Sequence, residues 1–189
     1  EWDFGDDTII TETLEPTHAF TEPGEYTVTL TVTDNDGGVG TDSVVIIVDT
    51  PAEVTEDIVD DLEELDPPAE AEDEVNNAID NLNDAVEDFE NEEPEHAFDE
   101  IKKAVDNLDK AQDDGADTQE TIEDILDFLI DLVELTIDDA IEYAGEDDHN
   151  VEKAQEYYDN AMVMINEENF EDAVAELKKA YSEAMKVFK

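Results

Sequence analysis

The first fifty residues alternate between apolar and polar positions with a period of two. In the run TVTLTVT, Val28, Leu30 and Val32 fall on one side and the threonines on the other, which is typical of a strand with one buried face. A second β-branched run covers residues 43–48. The sequence Asp-Asn-Asp-Gly-Gly at 34–38 lies between the two runs and favours a turn. The pattern predicts a β-hairpin.

From residue 51 the apolar positions recur at the spacing of an amphipathic helix, and we predict about six helices. Breaks between helices fall at Pro67-Pro68, before Pro94 and near Gly115. The fourth helix, over about 118–144, carries apolar residues on most of its sides. Such a helix is typical of the centre of a bundle.

The two patterns predict two domains, a β-rich domain over residues 1–50 and an acidic helical bundle over residues 51–189. Thr55 is the predicted N-cap of the first helix, so residues 49–56 are interpreted as a linker.

The helical region contains an internal repeat, because residues 85–110 align without gaps with residues 161–186. We therefore predict two three-helix repeats, over about 55–112 and 118–188.

The net charge of the chain indicates what kind of surface the protein has. The chain has 60 Asp and Glu residues against 8 Lys, a formal net charge of −52. A disordered chain is one explanation, yet 39% of the residues are hydrophobic and their spacing is periodic. The alternative is a protein of a salt-loving organism, since molar salt shortens the screening length to about 3 Å. We favour this alternative and expect a folded protein coated with carboxylates.

The same charge limits the partners. Nucleic acids and anionic membranes require a basic patch, which the sequence lacks, so neither is an expected partner. No apolar run reaches the roughly 18 residues of a membrane span, and we expect no membrane insertion. The chain has no Cys, which excludes disulfides and thiolate chemistry.

Three motifs together resemble the PKD domain family: WDFGD at residues 2–6, PTHAF at 16–20 and GEYTVTLTVTD at 24–34. The family is an immunoglobulin-like β-sandwich common in surface proteins of archaea and bacteria. The resemblance implies that Trp2 and Tyr26 fill the core between the sheets, with Tyr26 in a role like the tyrosine corner. Asp7 replaces the last glycine of the family hallmark W-D-F-G-D-G.

The hallmark tryptophan of the family normally follows at least two earlier strands, whereas here it is residue 2. The resemblance therefore implies a PKD/Ig-like sandwich that is N-terminally incomplete. An incomplete sandwich exposes a sheet edge, and an exposed edge is a template for strand addition. Of the two explanations for the missing strands, a shortened chain is favoured over a sandwich that another segment completes.

Asp34, Asn35 and Asp36 form a candidate calcium site, because they offer three hard oxygen ligands on a tight turn. The alternative is a polar hairpin turn, since the segment lacks the twelve-residue loop of an EF-hand. The three histidines, His18, His96 and His149, lie far apart in the sequence and show no ligand spacing. His18 is interpreted as a strand residue whose imidazole has a hydrogen-bond partner.

We predict no catalytic residues and no cofactor apart from the candidate calcium ion, so the chain is not expected to be an enzyme. A hydrolase needs two carboxylates in a dry pocket, whereas most carboxylates here must be solvated.

The leading hypothesis is a non-catalytic structural or adhesive module at the surface of a halophilic archaeon, with a protein or a polysaccharide of the cell envelope as its partner. One alternative is a binding or spacer module of a secreted hydrolase. A second is a subunit of a surface polymer that self-associates through the sandwich edge. All three hypotheses place the chain outside the cell.

Overall fold

The computed structural model describes residues 1–11, 13–20 and 22–189. It divides into two compact units, Glu1–Thr50 and Pro51–Lys189. In the described residues, no helix is both long enough and apolar enough to cross a membrane.

Unit 1 contains one antiparallel sheet in the order β2-β1-β3-β4. The strands are β1 (Trp2–Asp3), β2 (Ile9–Ile10), β3 (Gly24–Thr33) and β4 (Val39–Val48). The predicted hairpin is confirmed as β3 and β4. Strand β4 begins earlier than its β-branched run, because the ladder continues through polar positions until Val39 pairs with Thr33.

The apolar face of this sheet is only partly covered. Val28 is buried, Leu30 is half-buried and Val32 is 58% exposed, so the predicted buried face is confirmed at Val28 and is wrong at Val32. Val32 lies opposite Gly40, which has no side chain to cover it. Trp2 is also only half-buried; the buried aromatic side chain of the hallmark motif is Phe4.

Unit 2 consists of six helices, as predicted, followed by a short 3-10 turn at Lys186–Phe188. The helices are α1 (Pro51–Glu63), α2 (Glu72–Glu90), α3 (Pro94–Asp113), α4 (Gln119–Ala144), α5 (His149–Asn166) and α6 (Phe170–Met185).

The predicted start of the first helix was wrong. Helix α1 begins at Pro51, a residue whose fixed φ and missing N–H suit a first helical position. Thr55 is buried inside the helix, where its hydroxyl donates to the carbonyl of Pro51 at 2.7 Å. It therefore does not cap the helix, and most of the predicted linker at 49–56 is helical.

The helices pack as two hairpins, α2 with α3 and α5 with α6, which meet through α3 and α6, and α4 packs against both hairpins. Helix α4 contacts α1, α3, α5 and α6, which confirms its predicted central place. Its burial is one-sided, however, since Leu129 and Val133 are fully buried while Leu135 is 61% exposed. The shared core also contains Phe98, Ile101 and Leu177.

Both hairpins close with the same turn. Glu92 and Glu168 adopt φ values of 59° and 58°. In the first turn the amides of Glu92 and Glu93 donate to the carbonyls of Phe89 and Asp88. In the second turn Glu168 and Asn169 donate in the same way to Ile165 and Met164. This pattern is the Schellman motif, which usually has glycine at the left-handed position.

Candidate functional site

The hallmark motif of unit 1 builds an aromatic cluster around His18. The His18 ring lies 4.2 Å from Phe4 and 4.8 Å from Phe20, and Phe20 stacks on Tyr26. His18 Nε2 lies 2.6 Å from Asp6 Oδ2, so the imidazole has the expected partner. His18 lies outside the strands, contrary to its interpretation as a strand residue.

Asp6 is held in its charged form by this arrangement. Its desolvation raises the carboxyl pKa, but the hydrogen bonds from His18 and from the Thr8 amide outweigh that effect and leave the pKa lowered. The hydrogen bond between Asp6 and His18 therefore joins the motif at residues 2–6 to the segment at 16–20.

Tyr26 makes the backbone contact that the resemblance implied. Its hydroxyl donates to the carbonyl of Glu22 at 2.7 Å, a few residues upstream, as in a tyrosine corner. Gly5 has a φ of 81°, and a Cβ there would lie 2.9 Å from the Thr27 carbonyl oxygen. Asp7 adopts a φ of 71° at the position where the family hallmark has glycine. The hydrogen bond of Tyr26 and the left-handed conformations of Gly5 and Asp7 therefore determine the path of the backbone through the motifs.

The turn at the predicted calcium site is closed by Asp34. Its Oδ1 accepts hydrogen bonds from the amides of Asp36 at 2.9 Å and Gly38 at 2.7 Å. A Cβ at Gly38 would lie 2.7 Å from Oδ2 of Asp34, so a larger residue there would displace the Asp34 side chain that closes the turn. These hydrogen bonds give the Asp34 side chain a role in the turn. Calcium binding by Asp34, Asn35 and Asp36 stays a prediction.

The other two histidines differ in their surroundings. His149 is the first residue of α5. His96, at the start of α3, has its Nδ1 3.1 Å from Oε2 of Glu93 and lies close to Asp88 at the end of α2. This cluster was missed from the sequence, because ligand spacing was sought only among the three histidines. The signal that finds it is Glu-x-x-His at 93–96, a spacing that brings two ligands together on a helix.

The lysines gather beside an open cavity of about 380 Å³ between α3, α5 and α6. Lys102, Lys178 and Lys179 line it, and each pairs with a carboxylate. Lys102 Nζ lies 2.9 Å from Glu171, and this hydrogen bond raises the lysine pKa. The ammonium groups of these three lysines are therefore neutralised locally.

Comparison with known proteins gives a match for unit 1. Residues 1–48 match the family model of the PKD domain. A segment of 56 residues, 29% of the chain, is 48% identical to part of collagenase ColA of Clostridium perfringens. A segment of 50 residues, 26% of the chain, is 50% identical to part of the pre-pro-metalloprotease PrtV of Vibrio cholerae.

The match covers 5% of the length of each of these two relatives. No solved structure matches the chain significantly. The family match ends at residue 48, before α1 begins. Residues 1–48 thus carry the PKD match that the motifs WDFGD, PTHAF and GEYTVTLTVTD predicted.

Proposed function

We propose that the chain is a non-catalytic extracellular module that binds a protein or a polysaccharide. The observation that carries this proposal is the PKD match over residues 1–48. The similar segments of the collagenase and of the metalloprotease are 5% of each relative. A segment so small in proportion suits an accessory part of a protease.

Between the two roles of such a module, the relatives favour attachment to a hydrolase, because both are named as proteases. The structural or adhesive role at a cell surface remains the alternative. Both roles require that the chain fold stably outside the cell and that it present a binding surface.

A high-salt environment, such as that of a halophilic archaeon, is part of the proposal. Among the described residues the polar residues that are buried as a whole are Thr55 and Thr118, and the acidic residues reach the interior only through single oxygens such as those of Glu74 and Glu183. With a net charge of −52, the surface carboxylates repel one another unless salt screens them.

The helical unit is proposed to be a spacer that arose by duplication. The matching Schellman turns at Glu92 and Glu168 support the duplication. So do the within-helix ion pairs of Lys103 with Glu100 and of Lys179 with Glu176, at corresponding positions of α3 and α6. Stacked helical hairpins make a stiff element, which suits a spacer.

The test is a cosedimentation assay of the full chain in molar sodium chloride with insoluble collagen, chitin and cellulose. We expect the chain to pellet with at least one polymer and to release no peptide or sugar. The control is an acidic protein of similar size without a PKD match. Hydrolysis of a polymer by the chain, or no more binding than the control, would contradict the proposal.

A second candidate function is self-assembly by strand addition at β4. This ten-residue strand is at the edge of the sheet, and Val39, Val44, Val45 and Ile47 are each more than half exposed. Such an edge is a template for another strand.

Light scattering over a range of protein concentrations tests this candidate. Assembly through β4 predicts growth that V45K abolishes and that V163K, at an exposed valine of α5, leaves unchanged. A monomer at every concentration would exclude it.

A further inference from the structure

We propose that Asp88, Glu93 and His96 form a binding site for a divalent transition metal ion, of which zinc is the probe of choice. The three residues meet at the α2–α3 turn, where one ligand atom from each lies within 4.8 Å of the others. His96 Nδ1 and Glu93 Oε2 are 3.1 Å apart. The proposed site is in unit 2 and is independent of the proposed function.

The ligand set fits zinc. Zinc takes imidazole nitrogen and carboxylate oxygen at about 2.0–2.2 Å in tetrahedral coordination, so two of its ligand atoms are about 3.3–3.6 Å apart. The His96 and Glu93 atoms are already this close, and the Asp88 oxygen, within 4.8 Å of both, must move towards them. Glu93 and His96 are exposed and Asp88 is half-buried, so their side chains can make this movement. Three protein ligands leave a further position for water.

The backbone beneath the ligands is fixed. The Glu93 amide donates to the Asp88 carbonyl at 2.8 Å, and the His96 amide donates to the Glu93 carbonyl at 2.9 Å. The last turn of α2 and the first turn of α3 are thereby held in one register. A bound ion would join the end of one helix to the start of the next.

The second hairpin shows that the turn itself does not require these side chains. Met164, Asn169 and Asp172 stand at the positions that correspond to Asp88, Glu93 and His96, and the same backbone hydrogen bonds close that turn. The imidazole and the two carboxylates at the first turn are therefore additions to a turn that forms without them.

The electrostatics of the site favour a cation. Desolvation raises the Asp88 carboxyl pKa, and the charges of Glu100, Glu93 and Asp84 raise it further, against the opposing effect of His96. A divalent ion between these carboxylates would offset their mutual repulsion.

The experiment must distinguish this site from weak binding to the many surface carboxylates. Side-chain NMR of the three histidine rings does so when the full chain is titrated with zinc chloride in molar sodium chloride. We expect His96 to shift at a zinc concentration about tenfold or more below that which affects His18 and His149. Three rings that shift together, or a His96 ring unchanged at millimolar zinc, would overturn the proposal.

Variants give a second measurement. H96Q, D88N and E93Q are each expected to weaken zinc binding about tenfold or more and to remove the zinc-dependent rise in melting temperature. D172N removes a carboxylate from the corresponding turn and serves as the matched control, with unchanged affinity. Circular dichroism identifies any variant that fails to fold. Equal zinc affinity of the folded ligand variants and D172N would overturn the site.

Discussion

Lys178 of α6 places its ammonium group 2.6 Å from the carboxylate of Asp99 on α3, although the two residues are 79 positions apart in the chain. The reverse contact lies beside it, since Lys102 of α3 pairs with Glu171 of α6 at 2.9 Å. Each of the two hairpins thus contributes one lysine and one carboxylate to the salt bridges across the α3–α6 interface. In a chain with 8 Lys, this placement puts positive charge where two acidic helices must approach.

These interhelix pairs are expected to stabilise the helical unit. The double variant K102Q/K178Q should lower the free energy of unfolding by about 0.5–1 kcal/mol at the lowest salt concentration at which the protein folds, because the pairs are only partly shielded from solvent. Thermal or urea unfolding followed by circular dichroism measures the change.

The matched control is K103Q/K110Q, which also removes two cations but leaves the α3–α6 pairs in place, since Lys103 and Lys110 pair with Glu100 and Asp106 within α3. The control should lower the free energy of unfolding less than K102Q/K178Q does. An equal loss from the control would mean that net charge, and not the contact between α3 and α6, is responsible.

The core of the helical unit depends on the buried side of α4. L129A should lower the free energy of unfolding by about 3 kcal/mol, because Leu129 is fully buried and its truncation leaves a cavity. L135A alters the same helix at a residue that is 61% exposed and should cost less than about 0.5 kcal/mol. Similar losses at the two positions, measured by urea unfolding, would contradict the assignment of the buried side.

The turn after α2 carries a removable strain. Glu92 has a φ of 59°, which glycine adopts without a steric penalty. E92G should therefore raise the free energy of unfolding by about 0.5–1 kcal/mol. E92Q is the control for the lost charge, and a gain as large in E92Q would assign the effect to charge and not to the backbone.

Tyr26 anchors the sheet of unit 1 through its hydroxyl. Y26F should lower the stability of that unit by about 1 kcal/mol, because the hydrogen bond to the Glu22 carbonyl is lost. Trp2 is the sole tryptophan of the chain, so its fluorescence reports the unfolding of unit 1 selectively. Y143F, at a tyrosine of α4 that is 72% exposed, should leave the Trp2 transition unchanged. An unchanged transition in Y26F would contradict the anchoring role.

Periodicity predicted the hairpin and the helices because each is determined by its own residues. The run TVTLTVT and the spacing around Phe98 need no distant partner to be recognised. The start of α1 was missed because Thr55 has the residue type of an N-cap, while the helix begins at Pro51 and accepts the threonine hydroxyl inside its first turns.

Burial and side-chain clusters were harder to predict, because they depend on what lies opposite each residue. The exposure of Val32 follows from its pairing with Gly40, which becomes known only with the register of β3 and β4. The approach of His96 to Asp88 depends on the turn between two helices. The spacing of Glu93 and His96 gives only part of that cluster.

The most direct test of the central claim, a folded acidic chain that depends on salt, is circular dichroism at 222 nm as sodium chloride is lowered from molar concentration. The account predicts that the helical signal is lost below roughly 0.5 M salt, where the screening length grows past the spacing of surface carboxylates. Full helicity in dilute buffer would contradict it, because the packing of α1 to α6 would then withstand a net charge of −52 without screening.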